Sequence, residues 1–100
     1  GPRGYDCSGL VQQAYLAAGK AMPHRNTNTQ FAGGTQIPLN PANMLPGDLV
    51  FWGSGPGSFY HVAIYMGNGK IVHARNPSAG ITVTDLYYSY TNPYPVAVRY

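Results

Sequence analysis

The spacing of apolar residues changes character at Pro46, from a helical period before it to runs and alternations after it. Leu10, Val11, Ala14, Tyr15 and Ala18 recur on one face of a 3.6-residue period, with Gln12 and Gln13 on the other side. That pattern predicts an amphipathic helix that starts near Asp6, a good N-cap, and stops at Gly19. Residues 1–5 are a Gly/Pro-containing lead with no element of their own. Residues 19–47 read as mostly irregular, because Pro23, Gly33, Gly34, Pro38, Pro41, Pro46 and Gly47 interrupt every longer pattern. A short helix around Asn26–Phe31 fits within them. The apolar residues scattered through this stretch, Met22, Phe31, Ile37, Leu39, Met44 and Leu45, imply that it packs, and its expected role is to wall a groove.

Beyond Pro46 the pattern is that of strands. Pro46-Gly47-Asp48 reads as a turn, Leu49-Val50-Phe51-Trp52 as a buried strand, and residues 53–58 as a Gly/Ser/Pro loop. Two apolar runs, His61–Tyr65 and Lys70–Ala74, flank Gly67-Asn68-Gly69 and predict a hairpin. With the turn centred near Gly67, antiparallel partners sum to about 134, which sets His61 opposite His73 on one face. A slip of one residue would separate them. Residues 81–86 and 94–100 read as two further strands joined by a Tyr-rich loop. The predicted class is α+β, an N-terminal helix packed on an antiparallel sheet, and the chain of 100 residues makes a single domain.

Composition narrows the function classes. Only 9% of residues are charged, none is Glu, and nine are Tyr, so hydroxyls and amides carry the surface hydrogen bonding, a texture common among exported proteins. The net charge of +3 is spread over Arg3, Lys20, Arg25, Lys70, Arg75 and Arg99 without the clusters of a nucleic-acid surface. No apolar stretch is long enough to span a membrane, and the first residues lack a signal peptide's charged and hydrophobic regions.

One cysteine forms no internal disulfide. On its own Cys7 would be a small buried hydrophobe. Its place at a helix start, where unpaired N–H groups and the helix dipole favour a thiolate, points instead to a nucleophile. Such a thiol needs a base, and the base needs a group that fixes its tautomer. His61 and His73 on one rigid hairpin supply both. A Cys/His/His zinc site competes with this reading, but the closely spaced ligand pairs of such sites are missing. His24, in the irregular stretch, is expected to bond locally or reach toward a ligand.

The blocks Asp6-Cys7-Ser8-Gly9-Leu10-Val11, Pro46-Gly47-Asp48-Leu49-Val50-Phe51, His61-Val62-Ala63-Ile64-Tyr65, Gly67-Asn68-Gly69 and His73-Ala74, in this order, resemble the NlpC/P60 family of cell-wall cysteine peptidases. The resemblance implies a papain-like α+β fold and a triad of Cys7 as nucleophile, His61 as general base and His73 as orienting group. It also implies cleavage of peptidoglycan stem peptides, typically between D-γ-glutamate and the following diamino acid, in the cell wall or periplasm or as a phage-borne activity, with no metal or organic cofactor. Asp6 and Ser8, which flank the nucleophile, become substrate-binding candidates. Family domains usually carry a further helix and a Tyr-containing turn ahead of the motif, so the chain looks like the catalytic part of a longer protein in which that segment is missing or Tyr5 stands in for its Tyr. Arg25 and Arg75 could pair with substrate carboxylates or be solvated surface residues. A papain-like amidase or transferase on another amide, and a peptidoglycan-binding module without activity, are the alternatives.

Overall fold

The computed structural model describes residues 7–20, 22–24, 26–76, 80–87 and 92–100, with residues 7, 74–76 and 80 described by backbone alone. In chain order the elements are α1 (Cys7–Ala17), α2 (Thr27–Ala32), β1 (Thr35–Pro38), β2 (Leu49–Gly53), β3 (Phe59–Gly67), β4 (Lys70–Asn76), β5 (Gly80–Asp85) and β6 (Val96–Arg99). The strands form one antiparallel sheet in the order β1-β6-β2-β3-β4-β5.

Helix α1 buries Leu10, Val11 and Tyr15 and packs against β3 and β4, as its apolar period requires. It ends where Gly19 takes a φ of 79°. There Lys20 N–H donates to the Tyr15 carbonyl and Gly19 N–H to that of Leu16, the paired bonds that close a helix on a left-handed residue. Helix α2 begins with a reciprocal cap in which Asn26 Oδ1 accepts from Thr29 N–H and the Thr29 hydroxyl accepts from Asn26 N–H.

The central strand β2 is apolar at every position because both of its faces are covered. Leu49 and Phe51 join Val11, Tyr15, Met22, Phe31, Val62, Ile64 and Val98 on the helical side. Phe31 carries α2 into this layer, its ring 4.7 Å from Phe59 and 5.1 Å, edge-on, from Phe51. Val50 and Trp52 join Met44, Ala63, Tyr65, Ile71, Leu86 and Ala97 in a second layer, backed by Ile37 and Leu39.

Residues 19–47 therefore do not make one wall. Met22 and Phe31 belong to the helical layer, Ile37, Leu39 and Met44 to the other, and the stretch contains an edge strand, β1, paired to β6. Gly33 is fixed by a close approach, since a Cβ there would lie 2.1 Å from His24 Nε2 and 2.8 Å from the Tyr100 hydroxyl.

The β3–β4 hairpin forms as the sequence predicts, but in a different register. Its turn is Asn68-Gly69, both with positive φ (55° and 75°), as a two-residue primed turn demands. A bulge between Tyr65 and Gly67 inserts one extra residue, so Tyr65 faces Ile71 and Ile64 faces Val72. The turn position and the bulge together leave His73 two positions from the place opposite His61. A shift of two preserves the face, and the histidines remain diagonal neighbours on one side of the sheet.

Candidate active site

Trp52 is the cross-strand partner of His61, and its indole lies beside both imidazoles, 5.1 Å from His61 and 6.4 Å and nearly parallel to His73. His73 has no solvent exposure and His61 has 9%. Polar rings buried to this extent must be hydrogen-bonded. His61 Nε2 and His73 Nδ1 are 2.7 Å apart, and His73 Nε2 lies 3.0 Å from the Thr84 hydroxyl on β5.

The direction of this row follows from its far end. Thr84 Oγ1 also lies 3.2 Å from the Asp85 carbonyl, which can only accept; a hydroxyl that donates there turns a lone pair to His73 and accepts from Nε2–H. His73 Nδ1 is then an acceptor and takes its hydrogen from His61 Nε2. The remaining nitrogen of His61, Nδ1, carries the lone pair in the neutral ring. Both nitrogens of His73 are occupied by these bonds, which leaves neither to ligate a metal.

Cys7 is the first residue of α1, where backbone N–H groups have no partner within the helix. Helix α2 ties this first turn to the histidine strand with two amide side chains. Gln30, fully buried, donates from Nε2 to the Ser8 carbonyl at 3.0 Å and to that of His24 at 3.0 Å. Asn28 accepts from Phe59 N–H at 2.9 Å and donates to the Phe59 carbonyl at 3.2 Å, two residues ahead of His61.

Of the candidates read from the sequence, the structure brings His61 and His73 together and buries Ser8 at the start of α1. Tyr5, Asp6 and Arg25 lie outside the described residues, as do the side chains of Cys7 and Arg75. His24 packs on the ring of Tyr100, 6.1 Å away, and its carbonyl bonds Gln30.

Sequence reasoning missed Thr84, Asn28, Gln30 and a second polar cluster. In that cluster the buried Asp48 carboxylate takes Arg99 side-on, from Nε at 2.9 Å and Nη2 at 2.8 Å, and caps Leu45 N–H at 2.8 Å. The carboxylate raises the pKa of Arg99, chiefly through this hydrogen bond. A cleft of about 330 Å³ opens beside it, among Tyr15, Lys20, Asp48, Arg99 and Tyr100, and none of its lining residues belongs to the histidine row. The Tyr15 phenol, which donates to the Gly47 carbonyl at 2.6 Å, is pushed up to about 12 by burial, then by the Asp48 charge and by Tyr100.

The family model for the NlpC/P60 family matches residues 1–100. The chain is 36% identical over 91 residues to the peptidoglycan endopeptidase RipB of Mycobacterium tuberculosis, covering 91% of this chain and 36% of RipB, so it spans little more than a third of that relative. Among solved structures, the NlpC/p60 domain of the peptidoglycan hydrolase SagA superposes with a TM-score of 0.79 at 36% identity, over 100% of this chain and 80% of that one. RipD of Mycobacterium tuberculosis, described as a non-catalytic NlpC/p60 domain protein adapted to peptidoglycan binding, superposes with a TM-score of 0.77 at 30% identity, over 96% of this chain and 67% of that one. A match along the whole chain, on a sheet and helices that superpose with solved domains, establishes that this chain belongs to the NlpC/P60 family.

Proposed function

We propose that this chain is the catalytic domain of a longer cell-wall cysteine endopeptidase that hydrolyses peptidoglycan stem peptides, at the bond between D-γ-glutamate and the following diamino acid. The observation that carries the reading is the buried His61–His73 hydrogen bond in a chain whose single cysteine opens α1. A histidine pair with a defined direction is what a thiol nucleophile requires, and a module that only binds glycan or peptide has no use for it. Relatives that are peptidoglycan endopeptidases supply the substrate class. The action belongs outside the cytoplasm in this reading, in the wall or periplasm, because the polymer such relatives are named for is found there.

The chemistry follows from the row. Nδ1 of His61 accepts the thiol proton of Cys7, and the thiolate attacks the amide carbonyl carbon. Backbone N–H of Cys7, at the open end of α1, donates to the tetrahedral oxyanion. His61 is now an imidazolium and still donates from Nε2 to His73, so the hydrogen bond holds through the proton transfer and strengthens as charge develops. The proton then passes to the leaving amine as the C–N bond breaks, giving a thioacyl enzyme. Water, deprotonated by the same nitrogen, attacks the thioester and releases the acid and the thiol. Asp6, Ser8, Tyr5 and Arg25 are the residues proposed to meet the stem peptide around the nucleophile.

Mass spectrometry of purified peptidoglycan fragments after incubation with the protein tests this reading. New termini at the γ-glutamyl bond, absent with Cys7→Ala, are expected. Cleavage at another amide would reassign the substrate, and binding without any Cys7-dependent cleavage would place the chain with the non-catalytic members of the family.

A further inference from the structure

Strand β5 is built inside out for a strand on a small sheet. Its apolar residues face solvent, with Ile81 52% and Val83 56% exposed, while Thr82 and Thr84 turn toward β4. The register explains what the threonines meet. His73 pairs with Thr82 and Ile71 with Thr84, so both hydroxyl residues share the face of His73, and Thr84 lies diagonally from it. Position 84 is half-buried between Ile71 and Leu86, each with almost no exposure, a setting that Val would fill as well as Thr by volume.

What Val would not supply is direction. The Thr84 hydroxyl can in principle donate to His73 Nε2 or accept from it. Its second neighbour, the Asp85 carbonyl 3.2 Å away, can only accept and so draws the hydroxyl hydrogen to itself, and that carbonyl belongs to a peptide group held from the other side as well. Leu86 N–H, on the same peptide, donates to the Gly69 carbonyl at 2.8 Å, in the turn of the β3–β4 hairpin. The row therefore runs from the hairpin turn through the 85–86 peptide to Thr84, His73 and His61 without a reversal.

A reversal would matter. With its hydrogen on Nδ1, His73 would donate to His61 Nε2, and the hydrogen of neutral His61 would then sit on Nδ1, the atom that has to receive the thiol proton. The two tautomers of His73 thus correspond to a competent and an incompetent base. We propose that Thr84 is a positioning residue for this pair, its hydroxyl holding His73 as the Nε2–H tautomer and so leaving Nδ1 of His61 as the proton acceptor. The effect on turnover rests on the reading of His61 as general base; the effect on the His73 tautomer does not.

The test combines imidazole ¹⁵N shifts with turnover on a stem peptide for the wild-type protein and for Thr84→Val and Thr84→Ser. In the wild type His73 shows the pattern of a single Nε2–H tautomer. Thr84→Val, which keeps the volume, moves the His73 shifts toward the other tautomer or an average of the two, and kcat falls with the lost fraction of the Nε2–H tautomer, about twofold for an even mixture and roughly tenfold if the preference is reversed by the worth of one ordinary hydrogen bond, with KM little changed. Thr84→Ser restores both readings. Because the folded spectrum is recorded in the same experiment, loss of structure is seen directly and Thr84→Ser then decides alone, its His73 tautomer and kcat having to match the wild type. An unchanged His73 tautomer in folded Thr84→Val overturns the proposal, and so does a changed tautomer with undiminished kcat. If the wild-type protein cleaves nothing, the reading of His61 as base fails by that result, while the His73 shifts still decide whether Thr84 sets the tautomer.

Discussion

Two buried polar clusters sit on this sheet, and they are built to opposite rules. At the β6 side, Asp48 gathers donors: two nitrogens of Arg99 and the Leu45 N–H converge on one carboxylate, with both oxygens engaged. At the β4 side, His61, His73 and Thr84 form a line in which each group passes its hydrogen to the next. A converging cluster spends its charge on holding loops together. A line of donor-acceptor groups sets which atom at its end has a lone pair, and that is a chemical property. Burial alone does not separate the two, since Asp48 at 2% exposure and His73 at none are equally inaccessible.

The sharpest way to break this comparison is to remove one member from each cluster and measure turnover per folded molecule on a stem peptide. His61→Ala is expected to lose ~10²–10⁴-fold, the range of general acid–base catalysis, with His73→Gln retaining measurable activity and His73→Ala less. Equal, near-native rates for folded His61→Ala and His73→Ala would end the assignment of the line to chemistry. A dead His73→Ala beside an active His61→Ala would exchange their roles.

Asp48→Ala is expected to do the reverse. It strips the acceptor from Arg99 and from Leu45 N–H, so thermal unfolding should move down by about 5–15 °C for a domain of this size while turnover per folded molecule stays at the wild-type value. A normal melting temperature with lost turnover would show that the converging cluster also serves the reaction.

The smallest effect concerns Tyr15, which borders the Asp48 cluster. Its folded pKa is raised from 10.0 to about 12, so the stability linked to the neutral phenol is complete below about pH 10 and is lost as pH rises toward the folded value. Unfolding free energy measured in denaturant should therefore decline across that window in the wild type and decline less in Tyr15→Phe. Equal slopes would mean that the buried phenol is not the group that titrates.

Several of these features could be read before any coordinates. Val11 and Tyr15 are placed by a helical period, β2 by four consecutive apolar residues, and the hairpin by Gly67-Asn68-Gly69, because each depends on neighbours in sequence. The hairpin register was less accessible. A turn at Asn68-Gly69 instead of Gly67 would by itself shift the pairs by three, and the one-residue bulge before Gly67 takes one back, so that the net shift is even and His61 and His73 stay on the same face. Strand β1 was unreadable for another reason: three of its four residues are exposed and its pairing to β6 lies wholly in the backbone, so Thr35–Pro38 carries no apolar alternation. Asp48 and Arg99 look like a turn residue and a surface charge until β6 is laid beside β2. For Thr84, the alternation with Ile81 and Val83 was visible, but a helix-free strand gives no sign that its hydroxyl side is the inner one.

Helix α2 has a consequence for how such a domain can change over time. Its Gln30 holds the first turn of α1 and its Asn28 holds β3 just ahead of His61, so the separation between the cysteine's helix and the histidine's strand is gauged inside six residues. Chain length on either side of that gauge does not enter it. Insertions in the connections before and after α2 can accumulate without disturbing the spacing, whereas exchange of either amide for a side chain of different reach resets it.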